Sequence, residues 1–247
     1  MIFNKFFILF KIGRKVGKSN IINIVSETHK IPVFIKIFFN LLAFSFSSSK
    51  DTKSKENLSA SIQEMGTTFI KLGQFLATRP DIIGEKLSKE LVSLQDKLPP
   101  FSKKEAEKII IENLGQSNFD DIIDLSDPIA AASIAQVHKA KIKEDNTIKN
   151  VAIKVLRPNI KKIFNEEIDA IMLLAYIVES LITKTKRLKL IEVVFLFKEI
   201  TNHEMDLRFE AAAANEYAEN TKNDLGFFVP KIYWNFTSES VLTLDWV

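Results

Sequence analysis

The chain has 247 residues, 46% hydrophobic and 26% charged, enough to bury a real core and unlike a disordered segment. It has no cysteine, which excludes a disulfide framework and thiol chemistry, and its three histidines (His29, His138, His203) lack metal-ligand spacing. The formal net charge of +3 is unevenly spread: residues 1–50 carry eight bases against one acid, Glu27, so the remainder is net acidic.

A basic segment rich in Phe and Ile (1–50) on an acidic body points to an anionic membrane surface. The other reading is that these apolar side chains pack on the body. No Arg-rich patch with interleaved aromatics supports a nucleic-acid partner. Ile31 to Phe46 is the best candidate span, but Lys36 and Asn40 interrupt it and it is shorter than the roughly 20 apolar residues a span needs. No small-residue cleavage site follows Phe6–Phe10, so a signal peptide is not indicated. Peripheral attachment is the expectation.

Ser45 to Ser61 is rich in Ser and Lys and reads as a linker. A helix is predicted over Ser61 to Ala77, stopped by Arg79-Pro80-Asp81. Thr67, Lys71, Gln74 and Thr78 form a polar stripe on it, and Gly66, Ile70, Gly73 and Ala77 a small-residue stripe beside it. Each helical Gly costs about 1 kcal/mol relative to Ala, so close packing or a bound group should compensate. A second helix is predicted over Ile82 to Leu98, and a third over Lys103 to Leu114 with Ser102 as N-cap and Gly115 as stop.

The texture then turns to β. Ile129 to Ala140 reads as a strand, a tight small-residue loop at Ala130–Ser133 and a second strand. Glu144-Asp145-Asn146 is a hairpin turn, and Val151-Ala152-Ile153-Lys154-Val155-Leu156 a third, buried strand. Helices follow over Ile160 to Ile182 and Leu190 to Asn220. Val229 to Tyr233 and Val241 to Leu244 return to β.

Lys154 stands inside a β-branched run, where a buried ammonium calls for a carboxylate or a phosphate. Hydrophobic-Ala-hydrophobic-Lys on a strand is also the nucleotide-lysine signature of protein kinases. Glu210 is the better acid partner, because it lies four residues after Asp206 on one predicted helix face and has no base at i±3 or i±4. Glu204 has Arg208 four residues on and can be satisfied locally. The Ala run stands where kinases carry a glycine-rich phosphate cover; alanines keep the volume small but stiffen the loop. Asp224-Leu225-Gly226 and His203-Glu204-Met205-Asp206-Leu207 mimic a magnesium tripeptide and a catalytic loop, but the first precedes the expected hinge and the second sits in a helical pattern.

Four stretches in order resemble one family. Lys71-Leu72-Gly73-Gln74, with Thr78-Arg79-Pro80-Asp81 after it, is similar to the Lys-x-Gly-Gln motif of the UbiB family of atypical protein-kinase-like proteins linked to ubiquinone biosynthesis. Ala130 to His138 resembles its alanine-rich loop, Val151 to Lys154 its nucleotide lysine, and Glu204-x-Asp206 with Glu210 its Glu-x-Asp helix. The resemblance implies an α+β fold: a kinase-like small lobe, made of an antiparallel sheet and a C-helix, with a helical N-terminal extension. The implied division is a membrane-proximal segment (1–50), the extension (51–120) and the lobe (121–247).

The resemblance further implies ATP held by the loop (Ala130, Ala131, Ala132, Ser133, Ile134, Ala135, Gln136, Val137), by Lys154, and by Asp245 and Val247 at the hinge, with Glu210 pairing the lysine. Lys71, Gly73 and Gln74 would form a lid meeting Glu204 and Asp206, favouring ATP hydrolysis or lipid-linked work over protein phosphorylation. No catalytic residue and no metal ligand is expected in this chain, because those belong to the large lobe; magnesium is expected only with a complementing large lobe. The expected partners are an anionic membrane surface at the cytoplasmic face of the inner membrane, ubiquinone-biosynthesis proteins, or a separate chain carrying the large lobe. The alternative is a non-catalytic, membrane-associated interaction protein.

Overall fold

The computed structural model describes residues 2–18, 58–94, 98–145, 147–181 and 183–247. Ile31 to Phe46 and most of the predicted linker lie outside them. The chain forms two compact units, one of residues 1–96 and 162–199, the other of 97–161 and 200–247.

The first unit is helical. Helix α1 (Ile2–Lys18) buries Ile12 and leaves Phe7 and Phe10 exposed. Its Lys15 ammonium donates to the Met65 carbonyl at 2.8 Å and lies 3.8 Å from Glu167. The helix predicted over Ser61 to Ala77 is two helices, α2 (Leu58–Met65) and α3 (Thr67–Ala77), and it begins inside the expected linker. The break is Gly66, at φ 103° and ψ −177°, a conformation that L side chains rarely adopt. Gly66 therefore caps α3 and does not belong to the small-residue stripe.

A second glycine divides the next predicted helix. Gly84, at φ 83°, separates α4 (Pro80–Ile83) from α5 (Glu85–Val92). Leu58, Leu87, Leu91 and Leu94 make the core here, each burial contributing about 1.5–3 kcal/mol. The Ser88 hydroxyl donates to the Ala77 carbonyl at 2.6 Å and ties α5 to the end of α3.

The second unit is built on an antiparallel sheet. Helix α6 (Lys103–Leu114) begins and ends where its signals predict: Ser102 and Glu105 form a reciprocal capping box, and Gly115 closes it at φ 82°. The short α7 (Gln116–Asp120) follows. Strands β1 (Ile122–Ile123), β2 (Pro128–Ala131), β3 (Ala135–Glu144), β4 (Thr147–Leu156) and β5 (Val241–Asp245) pair in the order β1-β3-β4-β5, with β2 also on β3.

Asp145, at φ 47°, makes the β3–β4 turn. The small-residue loop is Ala132 to Ile134, because Ala130 and Ala131 already belong to β2. Val229 to Tyr233 is not a strand: only Ile232 bridges to Leu244, and Pro230 in the run lacks an N–H for a ladder.

Alternation divides the sheet's two faces. Ile142, Val151, Ile153 and Val155 turn to one side and pack with Ile110 of α6. Lys154 turns to the other. Two long helices, α8 (Ile160–Leu181) and α9 (Leu190–Glu204), lie mainly in the first unit. The segment predicted as one helix from Leu190 to Asn220 is α9 and α10 (Leu207–Thr221), divided at Met205 and Asp206.

Asp206 has an extended backbone and its side chain accepts from the Arg208 N–H at 3.1 Å, an N-cap that starts α10. Helix α10 buries Leu207 and Ala211, and the Leu207 N–H donates to the Glu239 carbonyl at 3.0 Å in the turn before β5.

Candidate functional site

Lys154 lies opposite Val137 of β3 and Leu242 of β5, in the middle of the sheet. Its side chain is 27% exposed, so the expectation of a buried ammonium is corrected to a partly exposed one, although Leu156, Ala135 and Leu242 on the same face are buried. The ammonium donates to both oxygens of Glu210, at 2.9 and 2.7 Å. Glu210 stands in the first turn of α10, where the helix dipole favours its negative charge. An ammonium has three donors. Glu210 takes two, and the exposed flank leaves room for a second anion.

The expected helix face joining Asp206 to Glu210 does not exist, because Asp206 is the non-helical cap. Its carboxylate instead takes a two-pronged bond from the Arg208 guanidinium, at 2.9 and 2.6 Å. That bond, ahead of the opposing effect of burial, holds the Asp206 carboxyl below its ordinary range. Arg208 therefore serves Asp206, two residues away, and not Glu204 as its i+4 position suggested.

The small-residue loop lies at one end of β4. Ala132 N–H donates to the Ala135 carbonyl at 2.8 Å, closing a tight turn. Ser133 and Ile134 are buried, as is Ala135, while Ala130 is exposed. Ala135 and Val137 share the lysine's face by their pairing with Leu156 and Lys154. Gln136 does not.

The Gln136 side chain is fully buried on the core face, where its Oε1 accepts from Phe101 N–H at 2.9 Å and its Nε2 donates to Phe101 O at 3.2 Å. Nε2 also meets His138 Nε2 at 2.9 Å, and His138 Nδ1 lies 2.8 Å from the Ser126 carbonyl. The network closes with a neutral His138 protonated on Nδ1. Burial pushes the imidazole below its ordinary 6.5, against the Ser126 carbonyl that pulls the other way. The Gln136 amide thus clasps the approach to α6.

Asp245 ends β5 opposite Val151 in the middle of β4, roughly 10 Å along the strand from Lys154 and away from the loop. Its carboxylate accepts from the Tyr233 hydroxyl at 2.5 Å, and burial, reinforced by this bond, pushes the Tyr233 phenol up. Val247 is exposed, and the Lys139 ammonium sits 4.6 Å from the Trp246 ring centre. Loop, lysine and Asp245 thus follow one another along β4.

Lys71, Gly73 and Gln74 lie on α3 in the other unit. Thr67, Lys71 and Gln74 of the polar stripe are half-buried and Thr78 is exposed, so only the end of the stripe is a solvated face. Gly73 is buried, and a Cβ there would meet Leu94 Cδ1 at 2.4 Å, which gives that glycine its packing reason.

Arg157 escaped the sequence reading. Its guanidinium donates to the carbonyls of Ala132, Pro99 and Leu98. A long cation just after the lysine strand and before Pro158 was the available signal. Among the described residues no cluster of His, Asp or Glu is placed to hold a metal ion. None of their helices is long and apolar enough to cross a membrane.

Comparison with known proteins bears on this arrangement. The ABC1 atypical kinase-like domain matches residues 93–247. The chain is 34% identical over 217 residues to the probable protein kinase UbiB of Marinobacter nauticus, an alignment covering 87% of this chain and 39% of that protein. It is 36% identical over 194 residues to the protein of the same name from Azotobacter vinelandii (76% and 35%), and 31% over 245 residues to that of Pseudomonas putida (96% and 44%). The chain therefore spans between 35% and 44% of the length of these relatives. The chain belongs to the UbiB family, whose mark here is the ABC1 atypical kinase-like domain.

Proposed function

We propose that this chain carries the upper half of an ATP site, a kinase-like small lobe serving an ATP-dependent kinase or ATPase in ubiquinone biosynthesis. The observation that carries the reading is the Lys154–Glu210 pair, a strand lysine held by a helix carboxylate with one donor left over. The residues fit a triphosphate: a partly exposed ammonium, a tight small-residue loop at one end of β4, and backbone at Asp245, the last residue of β5, and at Val247 just after it.

In this reading Lys154 binds the α- and β-phosphates and Glu210 keeps the ammonium aimed at them. The stretch from Ala130 to Val137, with its turn at Ala132 to Ile134, covers the phosphates, with the Gln136 amide supporting it from behind. Bound ATP supplies the transferable phosphoryl group. Magnesium belongs to the same proposal together with a large lobe carrying its ligands. Lys71, Gly73 and Gln74, with Glu204 and Asp206, keep in this proposal the lid role that the family resemblance implies, which favours ATP hydrolysis or lipid-linked work. A further part of the proposal is peripheral attachment at the cytoplasmic membrane face through residues 1–50, supported by α1, which leaves Phe7 and Phe10 exposed beside Lys11 and Arg14.

Thermal unfolding of the full chain with and without ATP tests the nucleotide part. A ligand that binds only the folded state at a hundred times its Kd stabilises by about 2.7 kcal/mol. The expected outcome is an unfolding temperature that climbs with ATP concentration; no shift at millimolar ATP contradicts the reading. For the membrane part, Phe7→Asp with Phe10→Asp in the full chain should lower co-sedimentation with anionic vesicles, and equal sedimentation contradicts it.

A further inference from the structure

Arg157 fastens the small-residue loop from behind. Its backbone N–H donates to the Ile134 carbonyl at 2.8 Å. Its Nε and Nη2 both donate to the Ala132 carbonyl, at 3.1 and 2.8 Å. Nη1 reaches the Pro99 carbonyl at 3.0 Å and Nη2 the Leu98 carbonyl at 3.3 Å, and the guanidinium carbon lies 5.9 Å from the Phe101 ring centre. Phe101 is the residue clasped by Gln136 on the core face. Arg157 therefore approaches the loop from the side away from Lys154.

A trans peptide points its C=O and its N–H in opposite directions. Two guanidinium bonds to the Ala132 oxygen fix the Ala132–Ser133 peptide plane, with the oxygen toward Arg157 and the Ser133 N–H directed away from it. This orientation decides how the loop meets an anion, because a carbonyl oxygen repels a phosphate and an N–H attracts it. A flip of this one plane would turn the Ala132 oxygen toward the phosphates.

We infer that Arg157 is a positioning residue of the phosphate-covering loop: it holds the Ala132 carbonyl away from the nucleotide and so presets the loop for a polyphosphate. The inference rests on the ATP reading above and adds to it a selective role for a residue that need not touch the nucleotide. It predicts sensitivity to the phosphates and indifference to the nucleoside.

The test is the ratio of adenosine to ATP dissociation constants in the full chain, measured by calorimetric titration for wild type, Arg157→Ala and Arg157→Lys. Arg157→Ala should weaken ATP tenfold or more while adenosine changes less than twofold. Arg157→Lys keeps a charge but loses the fork, and should weaken ATP selectively by a smaller factor, at least threefold. Circular dichroism establishes that each variant is folded; if Arg157→Ala is not, Arg157→Lys carries the test. A folded variant that keeps the wild-type ratio, whether both affinities hold or both fall together, overturns the inference and leaves the ATP reading standing. A wild-type chain that binds no ATP overturns both.

Discussion

Both carboxylate oxygens of Glu210 lie within 2.9 Å of the Lys154 ammonium, across 56 residues of sequence. The two groups are 27% and 50% exposed, so solvent screens their attraction. Exposed pairs of this kind contribute about 0–1 kcal/mol. The pair is thus a weak support for the fold and a specific way to aim an ammonium.

Glu210→Ala should accordingly lower the unfolding temperature by no more than about 4 °C, the effect of about 1 kcal/mol in a chain of this size. Differential scanning calorimetry checks this. A loss beyond about 8 °C would give the pair a structural role that the account denies it.

The two glycines of the Lys-x-Gly-Gln region should respond differently to the same change. At Gly66 an added Cβ meets nothing within 4 Å, but the backbone is at φ 103°, so Gly66→Ala should cost about 1–3 kcal/mol through strain alone. At Gly73 the Cβ meets the far end of the Leu94 side chain, which can rotate, and Ala gains about 1 kcal/mol in helix propensity. Gly73→Ala should therefore fall within about 1 kcal/mol of wild type, and Gly73→Leu should overpack the site and cost about 1–3 kcal/mol. Urea unfolding gives all three values.

His138 gives the second unit a pH dependence. Its folded-state pKa is depressed by burial, so between that value and the ordinary 6.5 the unfolded chain binds more protons than the folded one. Stability is then fully present well above pH 6.5 and declines as the pH drops through it. The urea midpoint should fall from pH 7.5 to pH 5.5 by more in wild type than in His138→Asn. Equal falls would remove His138 as the cause.

Helix ends marked by local chemistry were legible. Ser102, Glu105 and Gly115 bound α6 as their side chains and backbone freedom require, and the polar turn at Asp145 sits between β3 and β4. Boundaries hidden inside apolar periodicity were not. Gly66 reads as one more small residue in a stripe until its φ is known, and Asp206 reads as helical until its cap bond is seen.

The Lys154–Glu210 pair could be picked out because charge in a β-branched run demands a partner and Glu210 had none locally. Asp206 was misplaced for a related reason: the i+4 rule assumes a helix that its own side chain begins. Gln136 and Arg157 bond to backbone atoms at Phe101, Pro99, Leu98 and Ala132, and backbone partners leave no trace in residue identity.

In the proposed site Lys154 is a phosphate ligand. Calorimetric titration of ATP into the full wild-type chain and into Lys154→Ala tests that role. A charge-assisted bond to phosphate is worth about 1.5–3 kcal/mol, so the variant should bind ATP at least tenfold more weakly while unfolding within about 4 °C of wild type. Equal ATP affinity in the two proteins would contradict the account.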